Sequence, residues 1–131
     1  MSKDRTPAII DATGAFCRSL LDAILPSVRR VARFHGYAVA VHGSLSRDID
    51  LVAVAWTDTA SGPAELVQAV RGAIASVAGN CLIHGGIEKP TQKPHGRIAY
   101  TMIHPGFIGD IDLSIIPPAP KSMTVDASGA G

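Results

Sequence analysis

The stretch from Tyr37 to Trp56, YAVAVHGSLSRDIDLVAVAW, constrains the fold more than any other part of the chain. A β-rich apolar run, Tyr37 to Val41, meets a small-residue turn at Gly43-Ser44. Asp48-Ile49-Asp50 then opens a second apolar run, Leu51 to Trp56. The connection is too short for a parallel crossover, so the two runs should form an antiparallel pair. Side chains alternate across a strand, which puts Asp48 and Asp50 on one face, about 7 Å apart. Two carboxylates at the mouth of an otherwise apolar strand are costly unless compensated. A divalent cation is the natural partner.

A later stretch repeats the feature. In Asp110-Ile111-Asp112-Leu113-Ser114-Ile115-Ile116, the two aspartates share a face with Ser114, while Ile111, Leu113 and Ile115 line the other. If this strand lies beside Ile49–Trp56, up to four carboxylates converge at one end of a sheet. Like charges so close cannot all ionise without cations, and two divalent ions are the usual solution. Such a site can activate an attacking oxygen and stabilise the leaving oxygen of a phosphoryl or nucleotidyl displacement. The Gly-Ser turn offers backbone N–H groups and a hydroxyl to a phosphate.

A strand ending in Gly43-Ser44, a following Asp48-x-Asp50 strand and a downstream Ile111-Asp112-Leu113 together resemble the nucleotidyltransferase superfamily, the fold of DNA polymerase β and of minimal bacterial nucleotidyltransferases. The chain is also similar to small nucleotidyltransferase-like proteins encoded in phage and bacterial genomes. The resemblance implies an α/β (α+β) domain, a small mixed sheet backed by two or three helices. It implies Asp48, Asp50 and Asp112 as ligands of Mg²⁺ or Mn²⁺, with Asp112 helping to deprotonate the acceptor. Gly43 and Ser44 would hold the phosphates of an NTP, with Arg47 as a further anion contact. The acceptor would be a hydroxyl on a small molecule, protein or nucleic acid. Only Leu45-Ser46-Arg47 separate Gly-Ser from the first aspartate, where the family usually has a longer segment. That shortening favours a rival reading, a degenerate non-catalytic member that binds nucleotide or a partner.

At 131 residues the chain reads as one domain over 15–118, with a loosely packed N-terminus over 1–14 and a disordered tail over 119–131. Apolar residues recur at helical spacing from Phe16 through Leu20, Ile24, Val28, Val31 and Phe34, with a kink or break expected at Pro26. Gly36 stops that helix. A second helix should run from Pro63 to Gly79, burying Leu66, Val70, Ala73 or Ile74, and Val77. Cys81–Ile87 reads as a short strand broken by Gly85-Gly86, Glu88–Gly96 as a loop, and Arg97–His104 as a strand.

With a formal net charge of +1, strong nonspecific nucleic-acid binding is not indicated by charge alone, which argues against an accessory nucleic-acid-binding module. No apolar run approaches the roughly 18–20 residues of a bilayer span, so no membrane association is expected. Cys17 and Cys81 read as reduced core thiols of a cytoplasmic protein. No pair among the five histidines has the spacing of a zinc motif, although His42 abuts the Gly-Ser turn. Arg29, Arg30 and Arg33 read as a solvated helix side, with a phosphate or nucleic-acid contact as the alternative. Lys89, Lys93, His95 and Arg97 make a small basic loop, by default solvated and alternatively gripping a phosphate or acceptor. Trp56 and Tyr100 are expected in the core and at its rim.

Overall fold

Pro7 opens a helix, α1 (Pro7–Phe34), that continues for 28 residues, about 42 Å at a helical rise. The computed structural model describes residues 7–107 and 109–119. Residues 7–14, expected to be loosely packed, belong to α1, and Thr13 is buried there. The expected looseness of residues 1–6 and disorder of residues 120–131 lie outside the described residues. The helix also runs through Pro26, where a kink or break was expected. Ile24 and Val28 on either side are fully buried, so packing holds both halves on one stripe. Pro26 and Asp22 are exposed, which leaves the carbonyl freed by the missing N–H open to water.

The buried stripe of α1 is Cys17, Leu20, Leu21, Ile24, Val28 and Ala32. Phe34, expected on it, is 86% exposed, because the helical period carries the stripe from Val28 to Ala32 instead. Gly36 turns the chain at φ 90° into β1 (Tyr37–His42), which pairs antiparallel with β2 (Ile49–Ala55), as their short connection requires. Helix α2 (Pro63–Ala78) starts at the proline and ends at Gly79. Glu65 accepts a hydrogen bond from the Gly62 N–H at the helix start. Its buried face is Leu66, Val67, Val70, Ala73 and Ile74, whereas Val77 is largely exposed.

Short strand β3 (Leu82–Ile83) follows. The expected loop over 88–96 contains β4 (Thr91–Gln92) and a tight 3-10 turn at Pro94–Gly96. Strands β5 (Ile98–Ile103) and β6 (Ile111–Ile116) complete a six-stranded mixed sheet of order β1-β2-β6-β5-β3, with β4 also on β5. The class is therefore α+β, a mixed sheet with two helices on one side. No helix among the described residues is long and apolar enough to cross a membrane.

Alternation sorts each strand between two environments. Ile49, Leu51 and Ala53 of β2, Ile111, Leu113 and Ile115 of β6, and Tyr100 and Met102 of β5 are buried. They face the helices, which pack on each other and on the strands. Each large side chain so buried contributes about 1.5–3 kcal/mol. The opposite face carries Asp50, Val52 and Val54, then Asp112, Ser114 and Ile116, and no helix among the described residues covers it. Trp56 continues this open face and is 63% exposed, so it is neither core nor rim, while Tyr100 is in the core.

Edge strand β1 is guarded. Arg29 donates from Nε and a terminal nitrogen to the Val39 carbonyl, both at 3.2 Å, and so blocks part of an edge that could template another strand. Arg29 is exposed on the helix side, as expected, and also serves as a structural cap.

Because α1 keeps its path through Pro26 without a buried partner for the freed carbonyl, Pro26→Ala should raise stability, by up to about 3 kcal/mol. Urea unfolding monitored by circular dichroism checks this. A lower midpoint would mean that the proline ring itself is a needed contact.

Candidate functional site

The sheet register assembles a transverse row of polar side chains on the open face. His42 lies opposite Asp50 across β1 and β2, and Asp50 lies opposite Asp112 across the parallel pair of β2 and β6. Thr101 of β5 lies on the far side of Asp112. Neighbouring strands are about 4.8 Å apart, which sets the scale on which the Asp50 and Asp112 carboxylates meet. The Thr101 hydroxyl donates to Asp112 Oδ1 at 2.9 Å, holding one carboxylate oxygen and leaving the other.

Asp112 is half-buried, and its carboxyl is raised above the ordinary aspartate range. Burial is the first cause, and the nearby acids Asp50 and Asp48 add to it. The Thr101 hydrogen bond pulls the other way.

Gly43 turns the chain out of β1 at φ 82°, a conformation that favours glycine. A Cβ at this position would come within 2.7 Å of Asp50 Oδ2, so the acid packs directly on the turn backbone. Ser44 Oγ accepts a bond from the Ser46 N–H, and the two serine hydroxyls are 2.6 Å apart. One hydroxyl proton of this pair therefore remains free for a ligand. Leu45 sits at φ 60° inside the shortened connection.

Asp48 lies one residue before β2, and its Oδ1 accepts a 2.9 Å bond from the Asp110 N–H. Its other oxygen, Oδ2, stands 3.7 Å from a terminal nitrogen of Arg47. A pair so exposed is weak, and Arg47 can leave it for an anion. Asp110 contributes its backbone to the site; its side chain is exposed and joins no acid group. The convergence of four carboxylates is thus reduced to Asp50 beside Asp112, with Asp48 at the sheet's end. Among the described residues, no three His, Cys, Asp or Glu side chains are gathered as they stand to hold one metal ion.

The residues present still suit a divalent cation in part. Asp112 and Asp48 each have one oxygen oriented by a hydrogen bond from the protein, the usual support for a metal-ligating carboxylate. The second oxygen of Asp48 has only the weak Arg47 contact, and Asp112 also lies within hydrogen-bonding reach of Asp50.

Two supporting features were not read from sequence. Gly109 approaches the Arg47 backbone so closely that a Cβ would overlap the Arg47 carbonyl and lie 2.8 Å from Asp48 Oδ1. The first half of α1 underlies both loops. Gly14 meets the Leu45 and Ser46 carbonyls, and Phe16 packs on Phe107 with ring centroids 5.6 Å apart. Interrupted helical spacing before Phe16 hid this role. His104 ties the β5–β6 turn to α2, with Nε2 donating to the Ala78 carbonyl while Nδ1 accepts the Gly106 N–H.

No protein-family model and no curated protein matches the chain.

Two outcomes follow from this geometry. Gly109→Ala should cost roughly 1–3 kcal/mol by overpacking, read as a lowered urea midpoint. The second concerns Asp112. With its folded value raised, the stability it contributes is full below the ordinary carboxylate range and is lost as pH rises through the raised value. Asp112→Asn, which resembles the protonated acid, should match the parent's melting temperature in acid and exceed it at neutral pH. Melting curves for both proteins from about pH 3 to 8 test this, and a constant offset would contradict it.

Proposed function

We propose that this domain binds a nucleoside triphosphate with a divalent cation and transfers the nucleotidyl group to a hydroxyl acceptor. The observation that carries the reading is the register that sets Asp50 opposite Asp112 on parallel neighbours, beside a Gly-Ser turn packed on Asp50. Asp50, Asp112 and the remaining oxygen of Asp48 would hold Mg²⁺ or Mn²⁺. A divalent cation bound there would neutralise charge on the phosphate oxygens during displacement.

The chain's own groups supply the rest. Gly43 and the free hydroxyl proton of the Ser44–Ser46 pair would grip the phosphates, joined by Arg47. Asp112, raised by burial and by its acidic neighbours, is better suited than an ordinary aspartate to accept a proton. Its Oδ1 is held by Thr101, so Oδ2 would take the proton of the acceptor hydroxyl. The acceptor oxygen then bonds to the α-phosphorus as the bond to pyrophosphate breaks. The buried free thiols of Cys17 and Cys81 suit a cytoplasmic setting.

A second reading, nucleotide binding without transfer, is favoured by Asp48 being engaged by the Asp110 N–H and by the shortened loop through Leu45. The two readings separate in one pair of measurements. Calorimetry with Mn²⁺ and a non-hydrolysable NTP should give saturable binding that Asp50→Asn weakens by about tenfold or more. Transfer of label from an α-labelled NTP should appear with the parent and vanish with Asp112→Ala. Binding without transfer across acceptors leaves the non-catalytic reading, and absence of both metal and nucleotide binding removes the two together.

A further inference from the structure

The basic loop before β5 is not used by the chemistry proposed above. Arg97 continues the alternation of Ala99 and Thr101 onto the open face, and the register of Ile98 with Ile115 sets it beside Ile116. Arg97 and Ile116, with Pro94 and His95, line a groove of about 470 Å³. Arg97 Nε is buried and has no hydrogen-bond partner. A buried donor left unpaired costs free energy that an arriving acceptor recovers, so the resting guanidinium is poised to turn toward a ligand.

Three further observations point the same way. The one ion pair among the described residues is Arg47 with Asp48, so no carboxylate among them pairs with Arg97. Between residues 80 and 109 the sole acid is Glu88, against Lys89, Lys93, His95 and Arg97. His95, which lines the groove, is held at φ 65°, a strained value for a residue with a side chain. The turn that holds it is closed by the Lys93 N–H donating to the Arg97 carbonyl at 2.8 Å.

We propose that this groove is a second ligand site, a phosphate-binding pocket in which Arg97, with His95 beside it, grips a phosphate monoester. It shares the open face with the acids, four residues along β6 from Asp112, about 13 Å at a strand's rise. Arginine's planar fork suits phosphate oxygens, and exposed Ile116, Val54 and Trp56 offer an apolar surface to the body of the ligand. The site stands on Arg97 and its groove, independent of any metal at the acids.

The test uses the full chain labelled with ¹⁵N, in EDTA so that no divalent cation contributes. The arginine Nε–H resonance of Arg97, assigned by its loss in Arg97→Lys, is followed during titration with inorganic phosphate and separately with AMP. A saturable shift with either probe is expected, and tighter binding of AMP would identify the phosphate as one carried on an aromatic body. Backbone amides of residues 93 and 95–97 report binding in the variants, where Arg97→Lys and His95→Ala should each weaken it, the former by about tenfold. No shift with either probe up to about 10 mM would overturn the proposal. So would equal shifts with chloride at matched ionic strength, or unchanged affinity in Arg97→Lys. The titration of the unmutated chain decides the matter even if a variant fails to fold.

Discussion

The candidate site depends on one pairing, the parallel ladder between β2 and β6. Six side chains beneath it, Ile49, Leu51 and Ala53 with Ile111, Leu113 and Ile115, are buried against the helices. Because side chains alternate with period two, a slip of one residue in either strand would send these apolar groups to water and the acids into the core. The hydrophobic face therefore fixes the register, and the register places Asp50 beside Asp112. Two like charges are held together by groups that carry no charge.

The long first helix makes the same point about support. Its second half packs as a stripe of Ile24, Val28 and Ala32, and Arg29 caps the edge of β1 from the same segment. Its first half reaches beneath the Gly43–Ser46 turn and the turn before β6, so one rigid element carries both loops of the site. Close backbone approach at Gly109 then locks the second loop to the first, and the Asp110 N–H orients Asp48. Two hydrogen bonds, Ile49 N–H to the Asp110 carbonyl and Asp110 N–H to Asp48, tie the two loops together at the acids.

Charge on the open face is divided between its ends. The acids occupy the end where β2 and β6 begin, and Arg97 with His95 occupies the end where β6 finishes. Between them lie small or apolar residues, Ala40, Val52, Ser114 and Ala99, which form a level floor. Such a face can take an elongated molecule with a cation-binding end and an anionic end, a polarity that net charge near zero conceals.

Much of this was written locally in the sequence. The period-two runs specified β1, β2 and β6, the short Gly-Ser connection specified an antiparallel hairpin, and Pro63 and Gly79 bounded α2, since each rests on interactions within a few residues. The shared face of Asp50 and the buried face of Leu51 were equally legible. Tertiary structure alone decided what depends on distant partners. Burial of Ile24 and Val28 carried α1 through a proline that local rules would use to break it. The Asp110 N–H captured one oxygen of Asp48, and Asp110 itself was left outside the acid group. Phe34 and Trp56 were left exposed because no element among the described residues covers them. Arg97 lost a partner for its Nε through burial, which no sequence pattern records. Alternation and turn chemistry act over a few bonds and can be read from residues in order, whereas burial and hydrogen-bond capture depend on which segments meet across the fold.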